Sequence, residues 1–288
     1  MASVEPFLEQ VAEWARNRSD VRAAFIVGSQ VRAEVPADEL SDVDLVLVVD
    51  DPALYTESAS WLETFGTPLL TFLEPTPVGG LLERRVLFES GLETDFSLVP
   101  ASALKALLAD SEALGVLARG YRILYDEVGL DEQFSRATRV EPAHATASQL
   151  AELSHDFWYH AVWAAKKLRR GEIYVAKQAC DGYLKSLVVE FLAIKARDSG
   201  TETWHQGRFL ERWAEPSDIA ELAGTFARYD AADVARAIKA TADMFARLER
   251  ELCDRRGMRA LVNHDEIGQR LEVLLEQKPP GSGLATES

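Results

Sequence analysis

The chain has 288 residues, 47% of them hydrophobic, enough for one large domain or two ordinary ones with real cores. Its 47 acidic residues outnumber 31 basic ones for a formal charge of −16, a field that repels nucleic acid and anionic lipid and favours cationic partners. Cys180 and Cys253 lie far apart with no CxxC spacing, so a zinc site and a disulfide framework are set aside and both are expected as buried thiols.

The N-terminus MASVEPFLEQ carries acids where a secretion signal needs bases ahead of an apolar run, and no run of about 18 apolar residues occurs. A soluble, cytoplasmic protein is expected. Residues 4–17 set Phe7, Val11, Trp14 and Ala15 at helical spacing and predict an amphipathic helix. Val21 to Val27 predicts a buried strand ended by Gly28-Ser29, and Val43 to Val49 (VDLVLVV) a second, rich in β-branched residues. A helix is predicted from Pro52 to Phe65. Strands follow at Leu69–Leu73, Arg84–Glu89 and Leu92–Val99, the last two joined at Ser90-Gly91 as a hairpin, with Gly79-Gly80 a turn and Pro100 stopping the sheet.

From Ala101 onward alanine and leucine at spacings of three and four dominate, and strand signals nearly vanish. Long helices are predicted at about 145–170, 172–197 and 230–256, separated after the first by Gly171. Shorter ones fall near 101–118, 208–214 and 217–226, and a last one at about 263–276. The tail KPPGSGLATES has too little apolar surface to fold and is expected to be disordered.

The chemistry concentrates in Gly28-Ser29, a linker of twelve residues, and then Asp42-Val43-Asp44. Alternate side chains of a strand share a face, so Asp42 and Asp44 project together while Val43, Leu45 and Leu47 point into the core. Two like charges side by side are costly unless a cation sits between them, and Mg²⁺ is the hard ion that carboxylates and phosphate oxygens would share. In Glu93-Thr94-Asp95-Phe96-Ser97-Leu98 the polar positions 93, 95 and 97 share one face. Beside the first strand, Asp95 would reach a second metal or take the proton of an attacking hydroxyl. The Gly-Ser turn lets backbone approach a phosphate, and Ser29 offers it a hydroxyl.

These residues resemble the polymerase-beta-like nucleotidyltransferase superfamily, whose pattern is Gly-Ser, then Asp-x-Asp, then a third carboxylate on a neighbouring strand. More narrowly the chain resembles the aminoglycoside 6-adenylyltransferases, or streptomycin adenylyltransferases. The similarity covers about the first 215 residues and is strongest in VGSQVRAEVPADELSDVDLVLVVDD, WLETFGTP and VLFESGLETDFSLVP. It persists more weakly in HDFWYHAVWAAKKLRRGEIYVAKQACDGYLKSL and GRFLERW.

The resemblance implies an α+β nucleotidyltransferase domain, a mixed β-sheet flanked by helices, over residues 1–140, with an all-α helical bundle for substrate and nucleotide over 141–277, an active cleft between them, and a tail over 278–288. It implies two Mg²⁺ ions on Asp42, Asp44 and Asp95, with Asp95 third ligand or general base, and a triphosphate held by Gly28, Ser29 and the neighbouring Ser41. Lys185 and Arg208 sit where the family's helical half supplies basic residues to the nucleotide. Gln30-Val31-Arg32 departs from the Arg or Asn usual after the Gly-Ser, and Trp204-His205 stands where the family has Gly-Lys. The departures put the acceptor in doubt and leave the phosphoryl chemistry intact.

The expected reaction is transfer of AMP from ATP to a hydroxyl of a cationic aminoglycoside such as streptomycin, by a monomer with no nucleic-acid or membrane partner. Another small acceptor such as a lincosamide, or an inactive nucleotide-binding module, stays open. His155 and His160 lie five apart on different helix faces and cannot share a metal locally. Phe157, Trp158 and Trp163 read as core, and Lys166, Lys167, Arg169 and Arg170 as charges suited to a helix C-terminus.

Overall fold

The computed structural model describes residues 4–76, 79–135, 144–204 and 207–276. Internal contacts divide the chain into two compact units, Met1–Pro142 and Ala143–Ser288. The tail expected to be disordered lies outside the described residues.

In the first unit, α1 (Glu5–Arg16) has proline in its first turn, where no amide partner is needed, and buries Phe7, Leu8, Val11, Ala12 and Ala15 as one stripe. Strands β1 (Val21–Val27) and β2 (Val43–Val49) have the bounds that the apolar runs predict. After α2 (Ala53–Thr56) come β3 (Pro68–Pro75), β4 (Leu82–Phe88) and β5 (Glu93–Pro100), then α3 (Leu104–Leu107), α4 (Ser111–Leu117), β6 (Arg122–Asp126) and α5 (Leu130–Phe134). The strands form one sheet in the order β3-β4-β5-β2-β1-β6. It is mixed, because β2 and β5 run parallel while every other neighbouring pair is antiparallel.

Strand alternation sorts the apolar side chains into two cores, one on each face. Val43, Leu45, Leu47, Phe96 and Leu98 pack with α1, Tyr55 and Trp61 on one side. Ala23, Phe25, Val48 and Val99 pack with Leu104, Leu117, Leu130 and Phe134 on the other. Asp44 and Asp95 belong, by alternation, to this second face.

Three expectations need correction. The helix predicted from Pro52 to Phe65 is only α2 followed by a 3₁₀ turn over Ser60–Thr64. Side chains take the carbonyls a continuing helix would use: Arg84 Nε donates to Tyr55 O at 2.8 Å and its Nη2 to Thr56 O, and Trp61 Nε1 donates to Ser58 O at 3.1 Å. The helix predicted over 101–118 is broken because Asp110 caps α4, its Oδ1 accepting from Glu112 N at 2.8 Å and Ala113 N at 3.1 Å. Pro100 does not stop the sheet, since β6 joins it on the free side of β1. With five residues and no fully buried side chain, β6 offers little alternation to detect.

The second unit is helical: α6 (Ala147–Arg169), α7 (Ile173–Gln178), α8 (Lys185–Asp198), α9 (Leu210–Trp213), α10 (Pro216–Ala223), α11 (Ala231–Arg256) and α12 (His264–Glu276). A capping box of Thr146 and Gln149 starts α6. The single helix expected over 172–197 widens into a π turn at Ala179–Leu184, and Lys185, the residue that follows it, donates from Nζ to Cys180 O at 3.2 Å. The core centres on Phe157 stacked on Phe245 with centroids 3.7 Å apart. Phe157 and Trp158 are core as expected, Trp163 is partly buried, and both cysteines are buried free thiols. Among the described residues no helix is long and apolar enough to cross a membrane.

Candidate active site

The turn after β1 is a 3₁₀ turn over Gly28–Gln30. Gly28 adopts φ +74°, a left-handed conformation that disfavours a β-carbon. Ser29 is buried, and its Oγ has no hydrogen-bond partner among the described residues. Gln30 Nε2 donates to Asp42 O at 3.1 Å, tying the turn to the residue that leads into β2. Ser41 faces backwards, its Oγ accepting from Asp38 N at 3.0 Å and donating to Asp38 Oδ1 at 3.0 Å.

The parallel pairing of β2 and β5 puts Asp44 directly in register with Asp95. One oxygen from each of Asp42, Asp44 and Asp95 lies within 4.8 Å of the others, and all three residues are half-buried. Adjacent ligands of an octahedral Mg²⁺ stand roughly 3 Å apart and opposite ones roughly 4 Å, so small side-chain rotations bring this all-oxygen donor set onto a hard divalent ion.

Burial pushes the Asp95 carboxyl up to about 7; the charges of Glu83, Asp42 and Asp44 push the same way, against the pull of Arg85. A carboxylate held there can accept a proton near neutrality, and a cation bound among the three would offset the like-charge repulsion. Arg85, opposite Asp95 on β4, places Nη2 3.3 Å from Asp95 Oδ2. Sequence reasoning missed Arg85 and its neighbour Glu83. The available signal was the pair of charges at alternate positions in LERRVLF, which puts 83 and 85 on the face that carries Asp95.

In the helical unit Lys185 is buried, and desolvation lowers its pKa. Its Nζ donates to Thr241 Oγ1 at 2.7 Å and lies 5.1 Å from the centroid of the Phe226 ring. It borders a cavity of about 500 Å³ with Val189, Arg197 and Trp204. Arg208 is exposed beside the Phe209 ring. A second cavity of about 460 Å³ is lined by Gln149, Glu152, Asp156, Glu190 and Arg197. His160 Nδ1 lies 2.6 Å from Asp156 Oδ1, while His155 is exposed, so the two histidines do not share a site.

The family described as Streptomycin adenylyltransferase matches residues 1–267. The chain belongs to this family.

Its relatives include the aminoglycoside 6-adenylyltransferase of Bacillus subtilis (strain 168), 22% identical over 237 residues, 78% of this chain and 81% of the relative. That of Staphylococcus aureus is 23% identical over 202 residues, 67% of this chain and 69% of the relative. The crystal structure of an aminoglycoside 6-adenyltransferase from Bacillus subtilis aligns with a TM-score of 0.46 at 17% identity, covering 96% of this chain and all of that one. Membership makes the chain an aminoglycoside adenylyltransferase-like nucleotidyltransferase, the enzyme class expected from Asp42, Asp44 and Asp95.

Proposed function

We propose that the chain transfers AMP from ATP to a hydroxyl of an aminoglycoside, with streptomycin the first acceptor to test, and that Asp42, Asp44 and Asp95 hold Mg²⁺ for the transfer. The observation that carries the reading is the convergence of one oxygen from each of these residues within 4.8 Å, with Asp44 and Asp95 paired in register on adjacent strands. When bound, two Mg²⁺ ions would neutralise triphosphate charge and polarise the α-phosphate.

The chain's own residues do the rest. Asp95 is third ligand or general base; as base it takes the proton of the acceptor hydroxyl while the hydroxyl oxygen bonds to the α-phosphorus, the bond from that phosphorus to the bridging oxygen breaks, and pyrophosphate leaves with the electron pair. Ser29, whose buried Oγ lacks a partner, donates to a phosphate oxygen, with Gly28 permitting close approach and Ser41 standing nearby. Lys185 and Arg208 are proposed to bind the nucleotide, and the helical unit that carries them is proposed as the substrate- and nucleotide-binding domain. The charge of −16 and the cavity carrying Glu152, Asp156 and Glu190 favour a cationic acceptor.

The test is release of pyrophosphate from ATP with Mg²⁺ and each aminoglycoside in turn. Turnover that Asp42→Asn and Asp95→Asn each abolish while the fold persists is the expected result. A folded wild type that releases none with any aminoglycoside removes this acceptor class, and an active Asp44→Asn variant removes the metal assignment.

A further inference from the structure

Arg85 is more constrained than a half-exposed arginine needs to be. Its Nε lies 2.6 Å from Glu74 Oε1, and its Nη2 lies 3.0 Å from Glu83 Oε1 and 3.3 Å from Asp95 Oδ2. Glu83 is buried, so the partner on its own strand cannot easily swing away. A planar guanidinium gripped by carboxylates from β3 and β4 keeps few rotamers, and its remaining reach is directed at Asp95. Backbone register supports the alignment: Glu74 pairs with Glu83, and Arg85 with Asp95, along one face of three adjacent strands.

We infer that Arg85 is a positioning residue for Asp95. It commits one carboxylate oxygen, Oδ2, to the guanidinium and so fixes the rotation of the group, leaving Oδ1 for a divalent cation shared with Asp42 and Asp44. The inference rests on the proposed reading of Asp95 and adds the residue that orients it. A residue acting through another in this way supports ligand geometry without touching the ligand.

A competing account makes Arg85 only a neutralising charge amid Asp95, Glu83 and Glu74, and the two accounts give different results. Arg85→Lys keeps the charge and loses the fork; Arg85→Gln loses both. If charge alone matters, R85K leaves divalent-ion binding unchanged, and R85Q tightens it by removing a competing cation. If orientation matters, R85K weakens it.

The experiment titrates Mn²⁺ into the full chain and reads bound ion by water-proton relaxation, with D95N as the control that marks the site and thermal melting as the check of folding. Arg85 is partly exposed, so R85K is expected to melt like the wild type. We expect R85K to raise the Mn²⁺ dissociation constant roughly 10-fold. In turnover its kcat should fall by a similar factor, with KM for ATP changed less than about 2-fold. An R85K variant with the wild-type Mn²⁺ constant, or an R85Q variant that binds Mn²⁺ more tightly than wild type, overturns the inference. Wild type that binds Mn²⁺ but modifies no acceptor sinks the transferase reading instead, and the R85K binding result still decides the role of Arg85.

Discussion

A β-carbon placed on Gly28 would lie 1.8 Å from Oδ2 of Asp44, and Gly28 also holds φ +74°. The glycine of the Gly-Ser pair therefore has a role apart from phosphate approach: it leaves room for the carboxylate that its own turn faces. Gly28→Ala must push Asp44 aside or move the turn, and adds left-handed strain of about 1 kcal/mol or more. The expected outcome is a folded protein, destabilised by about 1–3 kcal/mol, whose turnover falls at least about 100-fold because Asp44 no longer meets Asp95. A G28A enzyme with wild-type kcat would show that Asp44 can give way freely.

The raised pKa of Asp95 makes the metal-free protein sensitive to pH in a stated direction. The carboxyl titrates near 7 in the folded chain against an ordinary 3.8. Below 3.8 both states hold the proton and nothing is lost; as pH rises towards 7 the unfolded chain ionises while the folded chain resists, so stability falls and the loss is complete above about 7. At roughly 1.4 kcal/mol per pH unit the loss is bounded at about 4 kcal/mol. In EDTA at pH 8, Asp95→Asn should therefore be more stable than wild type by about 1–3 kcal/mol, the advantage shrinking towards pH 5. Added Mg²⁺ at pH 8 should raise the melting temperature of wild type and leave D95N nearly unmoved. Parallel melting curves for the two proteins across pH 5 to 8 would contradict this.

Where residue patterning was strong, the sequence anticipated the structure. VRAAFIV and VDLVLVV are apolar enough to mark strands buried on both faces, and ETDFSLVP shows its acidic face by alternation. The parallel pairing that sets Asp44 against Asp95 is a long-range event that no local pattern encodes, so convergence followed from the family motif rather than from periodicity. The breaks were hidden for a related reason. Arg84 captures carbonyls of Tyr55 and Thr56 from a distant strand, and that capture, not local propensity, ends α2. Arg85 was overlooked because one arginine beside another in a strand reads as a solvated charge until the register puts it opposite Asp95.

Thr94 lies on the opposite face of β5, fully buried between Val43 and Val86, and its Oγ1 has no hydrogen-bond partner among the described residues. A hydroxyl desolvated without a partner costs about 1–3 kcal/mol, whereas a methyl in the same place meets an apolar surface. Thr94→Val should stabilise the protein by about 1 kcal/mol, read as a higher urea midpoint with unchanged slope. Turnover should stay within about 2-fold of wild type, because the side chain points away from Asp95. A destabilised T94V would mean that the hydroxyl has a partner in solution.

Lys195 and Asp218 form a buried ion pair in the helical unit, with Nζ to Oδ2 at 2.9 Å and side-chain exposures of 7% and 2%. Arg247 approaches the other oxygen of Asp218 at 2.7 Å, and Glu251 lies 2.9 Å from Lys195. Removing either Lys195 or Asp218 leaves the other buried with a partner missing, and the size of the loss depends on what remains. Lys195→Met leaves Asp218 the Arg247 guanidinium, so it should cost about 2–3 kcal/mol. Asp218→Asn strips charge from between two cations and should cost more, about 3–5 kcal/mol. The double variant K195M/D218N should lose less than the sum of the two, because each single change already breaks the same contact. Urea unfolding of the four proteins measures the coupling. Additive losses would show that the two groups, although 2.9 Å apart, are held by their other partners rather than by each other.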